Sequence, residues 1–222
     1  MSESLLSLLL SIKRVLVERP GDDELLDLIT GHPEFASQTH ELWDRLAVEQ
    51  AIRMPLIERP SFATIEVGTF KTVLDLKQAL TDGKFRISDW VNNLMGRPKF
   101  TLLTEPAKLD LYMASNAELG YPNGCSVRES FEALEKIGAV KLPPEAGAQY
   151  RLQYADQFLG EWRLMYMDPI TDSNDTLWVF DVGRHDDGPW LSCYCADPDD
   201  FCNGDEVWVF ARLARMLALL AL

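Results

Sequence analysis

The sequence predicts an α+β fold in which an N-terminal helical unit is followed by an antiparallel sheet of about five strands covered by helices. Leucine and isoleucine recur at three- and four-residue spacing in residues 1–57, which is the period of an amphipathic helix. Residues 149–212 instead hold five short apolar runs divided by acidic or glycine-containing breaks, as in a β-meander. We therefore divide the chain into a helical unit, 1–57, and an α+β domain, 58–222, organised around the meander.

The helical unit is predicted to contain three helices. The first covers residues 2–18 and stops at Pro20, the second stops before Pro33, and the third runs from about Glu34 to Arg53. Proline ends a helix because it lacks the backbone N–H and clashes with the preceding turn. Small helical units of this kind are typical of packing or oligomerisation, so a homo-oligomer is one expectation.

The region after the linker MPLIERP alternates between strand and helix signals. FATIEVG (62–68) and the stretches 100–104 and 109–113 have strand-like alternation, whereas 70–80 is helical. Ser88 is placed to cap a short helix. Ser126 and Glu129 form a capping box, in which each side chain satisfies the other residue's free backbone N–H, and the helix they open runs to Ile137.

The meander comprises QYRLQY (149–154), EWRLMYM (161–167), TLWVFDV (176–182), PWLSCYC (189–195) and EVWVFAR (206–212). In the first run, Tyr150 and Leu152 alternate with Arg151 and Gln153, which predicts a strand with one buried and one wet face. The second and third runs are apolar on both faces, as central strands are. The last stretch, RLARMLALLAL (212–222), predicts a terminal helix packed on the core.

Charge excludes several classes of function. The chain carries 35 acidic and 21 basic side chains, a net charge of −14. A nucleic-acid binder needs a positive surface for phosphates, and docking on anionic lipid needs one as well. The acidic excess therefore predicts no nucleic-acid or membrane partner, and it favours either a basic protein partner or a solvated acidic surface.

The four cysteines are expected to be reduced thiols. The N-terminus places acid before its apolar run and base after it, the reverse of a secretory signal, so we expect a cytoplasmic protein. Cys193 and Cys195 are two apart in a predicted strand, where side chains on one face diverge, and they lack the C-x₂-C turn of zinc sites. Small buried hydrophobes are the better interpretation, and no metal or cofactor is predicted.

Several segments carry a family resemblance. ATIEVGT, FRISDWVNNLMGRPKFTL, LDLYMASNAELGYPNG, QYRLQYADQ, GEWRLMYMDPITDSND and WVFAR together resemble a family of bacterial open reading frames over residues 62–212. That family carries no established activity, so the resemblance implies no catalytic residue. The helix, Leu-Pro and strand order that begins at LEKIGAVKLPPE (134–145) also resembles a family of bacterial immunity proteins, which implies an inhibitor-type function.

The acidic loops are the main candidate surface. Eleven acidic residues and one basic residue, Arg184, lie between Asp168 and Glu206. Oxygen-rich loops of this kind can hold Ca²⁺ or Mg²⁺, but aspartate, asparagine and glycine are also what hairpin turns select, and no EF-hand spacing is present. The candidate binding residues at the turns are Asp172, Asp175, Asp187, Trp190 and Asp199.

No catalytic motif is recognisable, and no catalytic residue is assigned. The chain lacks the signatures GxSxG, HExxH and the P-loop. Our leading hypothesis is a non-enzymatic, acidic protein-interaction module, such as an inhibitor or immunity-type partner of a basic protein. The alternatives are a hydrolase or metal-dependent enzyme that uses the acidic loops 168–206, and a structural subunit that oligomerises through its terminal helices. Convergence of the aspartates on one cleft would favour the enzyme.

Overall fold

The computed structural model describes residues 56–154 and 157–212. Nearly all of the predicted helical unit 1–57, and the predicted terminal helix 213–222, lie outside the described residues. The helices are α1 (Val73–Asp82), α2 (Asp89–Leu94), α3 (Val127–Lys136) and α4 (Ala146–Gln153), with a 3₁₀ turn at Leu56–Glu58. The strands are β1 (Ala63–Val67), β2 (Arg86–Ile87), β3 (Ala107–Ser115), β4 (Cys125–Ser126), β5 (Ala139–Val140), β6 (Trp162–Met165), β7 (Ile170–Thr171), β8 (Leu177–His185), β9 (Gly188–Cys195), β10 (Phe201–Cys202) and β11 (Val207–Arg212).

The predicted fold class is wrong for the part of the chain that the structure describes. The sheet is not an antiparallel set of about five strands; it has nine strands, is mixed, and curves into a half-barrel. Its main order is β1-β3-β11-β6-β8-β9-β2, with β5 beside β11 and β7 beside β8, and β10 pairs separately with β4. Two pairs are parallel, β11 with β6 and β2 with β9.

The meander prediction holds for three strands and fails for two runs. Strands β6, β8 and β9 follow one another as antiparallel neighbours. Strand β11 does not continue that order, because the chain returns across the sheet and inserts β11 between β6 and β3. The first predicted strand, 149–154, is wrong, since most of it belongs to helix α4.

Helix α4 is buried on one face of the sheet, and its polar side chains bond along its length. Gln149 donates to Glu145, one turn earlier, at 3.1 Å, and Gln153 donates to Gln149 at 3.2 Å. Gly147 allows the close approach, because a Cβ there would lie 3.1 Å from the Cβ of Phe180 and 3.3 Å from Met165. The residues whose alternation predicted a strand therefore form a helix that is buried on nearly every side.

Helices α2 and α3 confirm the cap signals in the sequence. Ser88 accepts a hydrogen bond from the backbone N–H of Val91 at 3.2 Å, and the capping box of Ser126 and Glu129 is complete. Helix α3 lies on the opposite face of the sheet from α4, where Phe131 packs edge-on against Trp208 with ring centroids 5.2 Å apart. No helix among the described residues is long and apolar enough to cross a membrane.

The outer edge of β1 is closed by side chains of the α4 segment. The hydroxyl of Tyr154 donates to the carbonyl of Thr64 at 3.0 Å and accepts from its N–H at 3.3 Å. Gln153 bonds the carbonyl and the N–H of Glu66, both at 2.8 Å. These bonds satisfy backbone groups that an open edge strand would offer to another chain.

Candidate functional site

The predicted binding residues lie on separate turns. Asp172 and Asp175 belong to the turn before β8, and Asp187 to the hairpin after it. Strand β8 has nine residues, so these turns are roughly 26 Å apart at 3.3 Å per residue. The aspartates therefore do not converge on one cleft, and the geometry that would favour an enzyme at these turns is not formed.

Asp172 and Asp175 shape the first of these turns. One oxygen of Asp172 accepts from the N–H groups of Asn174 at 2.7 Å and Thr176 at 3.1 Å, and the other accepts from the indole of Trp178 at 3.1 Å. Burial acts to raise the pKa of Asp172, but these hydrogen bonds together outweigh it and hold the pKa below its ordinary value. Asp175 is exposed with φ 63°, a left-handed turn conformation.

Asp187 and Trp190 bond to one another at the far end of β8. The indole N–H of Trp190 donates to Asp187 at 2.8 Å, and this bond lowers the pKa of that carboxyl group. Arg86 lies 3.8 Å from the other carboxylate oxygen. This end of the sheet also exposes Phe158 and Leu159, whose turn bonds to β8 through the N–H of Gly160 and the carbonyl of Arg184 at 2.9 Å.

The fifth predicted residue, Asp199, lies in a long connection that we call the acidic crossover, residues 196–206. Strands β9 and β11 run in the same direction relative to β6, so the crossover must return along the length of the sheet. It contains five acidic residues and no basic one. Asp199 is 90 % exposed and pairs with Arg128 of α3 at 2.9 Å.

Phe201 lies at the centre of the acidic crossover with 62 % of its surface exposed. Its backbone belongs to β10, which pairs with β4, and its ring packs over Gly124, where a Cβ would come within 2.4 Å of the ring. The strand pairing fixes the position of the ring while leaving most of it in water. Sequence reasoning missed this residue, although a single phenylalanine inside a run of aspartates, DPDDFCNGDE, was a usable signal.

Buried Asn116 anchors the returning half of the crossover. Its side-chain N–H donates to the carbonyl of Asn203 at 2.8 Å, and its backbone N–H donates to the carbonyl of Glu206 at 3.0 Å. Its side-chain oxygen accepts from Trp208 at 3.0 Å and from Ser130 at 2.9 Å. One fully buried amide therefore joins the crossover to the sheet and to α3.

Asp181 lies in β8 on the face that the crossover covers. It pairs in register with Leu164 of β6 and Ser192 of β9, and only 7 % of its surface is exposed. Burial, and then the charge of Glu206, raise its pKa to about 7, while hydrogen bonds from Ser192 act in the opposite direction. Sequence reasoning missed it, although one acid in the otherwise apolar run TLWVFDV signals a buried charge.

The thiols carry no reactive signature. Burial raises the pKa of Cys193 to about 12, and the pKa values of Cys195 and Cys202 to about 11, so all three stay protonated at neutral pH. Cys195 lies with Asp197 and Asp200 in a group whose ligand atoms are within 4.8 Å of one another. Exposed acidic groups of this kind are common without a bound ion, so the grouping alone does not establish a metal site.

Comparison of the chain with family models, with curated proteins and with solved structures found no match. The inference about function therefore depends on the chemistry of the surfaces described above.

Proposed function

We propose that the protein is a non-enzymatic interaction module that binds a basic protein partner through the acidic crossover. The observation that carries the proposal is Phe201, a positioned and exposed aromatic side chain inside a segment of five acidic residues and no basic one. Aromatic side chains fixed at the centre of a contact patch supply much of the binding energy in protein interfaces. The proposed partner places an apolar pocket over Phe201 and lysine or arginine side chains over the surrounding carboxylates.

The charge of the crossover supports a basic partner in particular. Asp199, Asp200 and Asp205 are exposed. Asp199 pairs with exposed Arg128, and an exposed ion pair of this kind is weak enough to exchange for one across an interface. Complementary charge of this sort increases the association rate and selects against acidic partners.

Phe158 provides a matched control on the same molecule. It is 66 % exposed, close to the 62 % of Phe201, but its neighbourhood carries both signs of charge. Glu161, in the same turn, pairs with Arg163 of β6 at 3.0 Å, Asp187 lies 3.8 Å from Arg86, and Arg184 bonds the turn through its carbonyl. Exposed apolar area is therefore similar at the two sites, whereas the surrounding charge differs.

The test is affinity capture from the native host, identified by mass spectrometry, with the full-length protein and two variants. We expect a basic protein to be captured by the wild type and by Phe158→Ala, and to be lost with Phe201→Ala. Removal of one aromatic anchor weakens a protein interface by roughly 10- to 100-fold. Capture should also fall as salt is raised from about 50 mM to about 300 mM, because salt screens exposed charges.

Three outcomes would contradict the proposal. If no basic protein is captured, the proposed partner is wrong. If the Phe201→Ala variant captures as much as the wild type, Phe201 is not the anchor. Capture that survives Asp199→Asn together with Asp200→Asn, and does not respond to salt, removes the electrostatic argument. Circular dichroism of each variant checks that the fold is retained.

A further inference from the structure

Cys125 and Cys202 lie directly opposite one another in the short ladder that holds the acidic crossover. Strand β10 of the crossover pairs antiparallel with β4, and the register sets Cys202 against Cys125 and Phe201 against Ser126. Opposite residues of an antiparallel pair point to the same side, and their Cα atoms are about 4.5–5.5 Å apart. Disulfides join Cα atoms that are about 4.4–6.8 Å apart, so the backbone already holds these two cysteines at a distance that a disulfide can span.

Both thiols point away from solvent, beneath the crossover. Cys202 and Cys125 are buried, whereas Phe201, the residue before Cys202, is exposed, because successive residues of a strand face opposite sides. The Sγ atom of Cys125 lies 3.2 Å from the hydroxyl of Ser130, and the Sγ atom of Cys202 accepts from the hydroxyl of Tyr194 at 3.5 Å. The two thiols therefore enter the buried space under the crossover from adjacent strands.

The other two cysteines of the chain do not have this geometry. Cys193 and Cys195 lie two residues apart in β9, and their register partners in β8 are Phe180 and Trp178. Side chains two apart on one strand diverge, so these thiols do not face one another. All four cysteines lie among the described residues, and Cys125 and Cys202 are the one pair that is matched across a ladder.

We propose that Cys125 and Cys202 form a cross-strand disulfide, with a low-molecular-weight disulfide as the oxidant, and that this bond fixes the acidic crossover to β4. One protein thiolate attacks the small disulfide, whose S–S bond breaks to give a mixed disulfide and one small thiolate. The other protein thiolate attacks the cysteine sulfur of the mixed disulfide, forms the protein S–S bond and releases the second small thiolate. The two cysteine sulfurs lose two electrons to the oxidant, and their two protons pass through solvent to the released thiolates.

Burial makes this reaction slow in the folded protein. Burial is the main cause that raises the pKa of Cys202 to about 11, so little of the attacking thiolate is present at neutral pH. Strand β10 has two residues and pairs with β4 alone among the described strands, and so short a ladder can open locally while the main sheet stays folded. The disulfide therefore forms during such openings or during folding, and the closed crossover then shields it from reducing thiols.

The disulfide would tie the crossover to the start of helix α3. Strand β4 leads directly into α3, and β10 carries Phe201 next to Cys202. A disulfide stabilises most when it closes a long loop, and this one would enclose residues 125–202, which include β6, β8 and β9. A covalent bond would thus hold Phe201 in its exposed position in addition to the ladder. The inference does not rest on the proposed function, because the disulfide is detected with no partner present.

The experiment treats the reduced full-length protein with mixtures of reduced and oxidised glutathione, both in the folded state and during refolding from urea. The remaining thiols are alkylated after denaturation, and mass spectrometry of the intact protein and of its proteolytic peptides locates the bond. We expect the loss of two hydrogen atoms, a peptide pair joined through Cys125 and Cys202, and alkylated Cys193 and Cys195. The melting temperature should rise by at least about 5 °C in the oxidised protein.

Matched variants assign the effect to the proposed pair. Cys125→Ser should gain no thermal stability from the oxidant, whereas Cys193→Ser with Cys195→Ser should form the disulfide and gain as much as the wild type. The proposal is overturned if refolding in the glutathione mixture leaves all four thiols reduced, or if glutathione stays attached to Cys125 or Cys202 with no internal bond. A bond between other cysteines, or an oxidised protein that melts at a lower temperature than the reduced one, would overturn it as well.

Discussion

Two segments cover the sheet, helix α4 on one face and the acidic crossover on the other, and the buried carboxyl groups next to them differ in how many hydrogen bonds they accept. Under helix α4, Glu145 is fully buried, and it accepts from the N–H of Leu103 at 2.6 Å, the N–H of Gly68 at 3.1 Å and the side chain of Gln149. On the opposite face, Asp181 is nearly as buried and has an oxygen without a hydrogen bond, and burial, then the charge of Glu206, raises its pKa. A fully hydrogen-bonded carboxylate can stay charged when it is buried, whereas burial without enough hydrogen bonds favours the protonated form.

The hydrogen bonds made by one tyrosine at each segment also differ, and those at α4 are the shorter ones. Tyr154, at the end of α4, bonds the edge of β1 at 3.0 and 3.3 Å. Tyr194, beneath the crossover, lies 3.5 Å from the carbonyl of Phe201, the upper limit of a hydrogen bond to oxygen, and 3.5 Å from the sulfur of Cys202, a weak acceptor. We infer that the crossover is held less firmly at Tyr194 than α4 is at Tyr154, although Asn116 and the pairing of β10 with β4 anchor the crossover elsewhere.

The largest expected effect is loss of stability on removing the bonded carboxylate. Glu145→Ala leaves three donors without their partner, so we expect the free energy of unfolding to fall by about 3 kcal/mol. Urea denaturation measures it, with Glu145→Gln as a control that keeps the volume and one acceptor. A loss below about 1 kcal/mol would break the comparison, because Glu145 would then be no more structural than a surface residue.

The second effect is a pH dependence that arises from Asp181. Its folded-state pKa of about 7 lies above the ordinary value of 3.8, so the folded protein holds the proton more tightly than the unfolded chain. Stability from this group is therefore complete below about pH 4 and is lost as the pH rises through about 7. Between about pH 5 and pH 8 the loss is on the order of 2–3 kcal/mol.

Asp181→Asn should remove that part of the pH dependence. The measurement is urea denaturation of the wild type and the variant at both pH values. Glu206 is the charged group that acts on Asp181, so Glu206→Gln should lower the midpoint of the pH effect without abolishing it. If the asparagine variant loses as much stability as the wild type over this range, the effect belongs to other groups.

The smallest expected effect is the difference in the free energy of unfolding between variants of Tyr154 and Tyr194. Tyr154→Phe removes two bonds of ordinary length and is expected to cost about 1 kcal/mol. Tyr194→Phe removes one long contact to oxygen and one bond to sulfur, a weak acceptor, and should cost less than about 0.5 kcal/mol. Hydrogen exchange sharpens the result, since amides of the crossover should exchange faster than those of α4. Equal costs and equal exchange would show that the two covers are held alike.

Local signals in the sequence predicted most elements within the described residues. The caps at Ser88 and Ser126 placed α2 and α3, period-two alternation placed β1 and β3, and short apolar runs between turn residues placed β6, β8, β9 and β11. These signals succeed because caps and alternation depend on neighbours a few residues away. The predicted strand at 100–104 is wrong, since the structure leaves that stretch without regular structure.

The failure at α4 has a physical cause. A helix packed on nearly all sides has no solvent face, so its polar residues do not mark one side. The alternation of Tyr150 and Leu152 with Arg151 and Gln153 therefore arose by chance and does not indicate a strand. The spacing of four between Glu145, Gln149 and Gln153 was the helical signal, and the structure shows each bonded to the next. Sequence alone does not reveal that Glu145 and Gln149 are buried.

The sequence by itself determined the local elements, the acidic character and the position of the turns. Only the tertiary structure decided which strands are neighbours, because pairing between β11 and β3 depends on residues about ninety positions apart. It also decided the site. The aspartates that the sequence marked as a surface are dispersed, and Asp172 and Asp187 bond within their own turns, while Asp181 is buried in the sheet and Phe201 is held exposed by the crossover. Burial and exposure are set by the whole chain, so they raise the pKa of one aspartate and make one phenylalanine a candidate for binding.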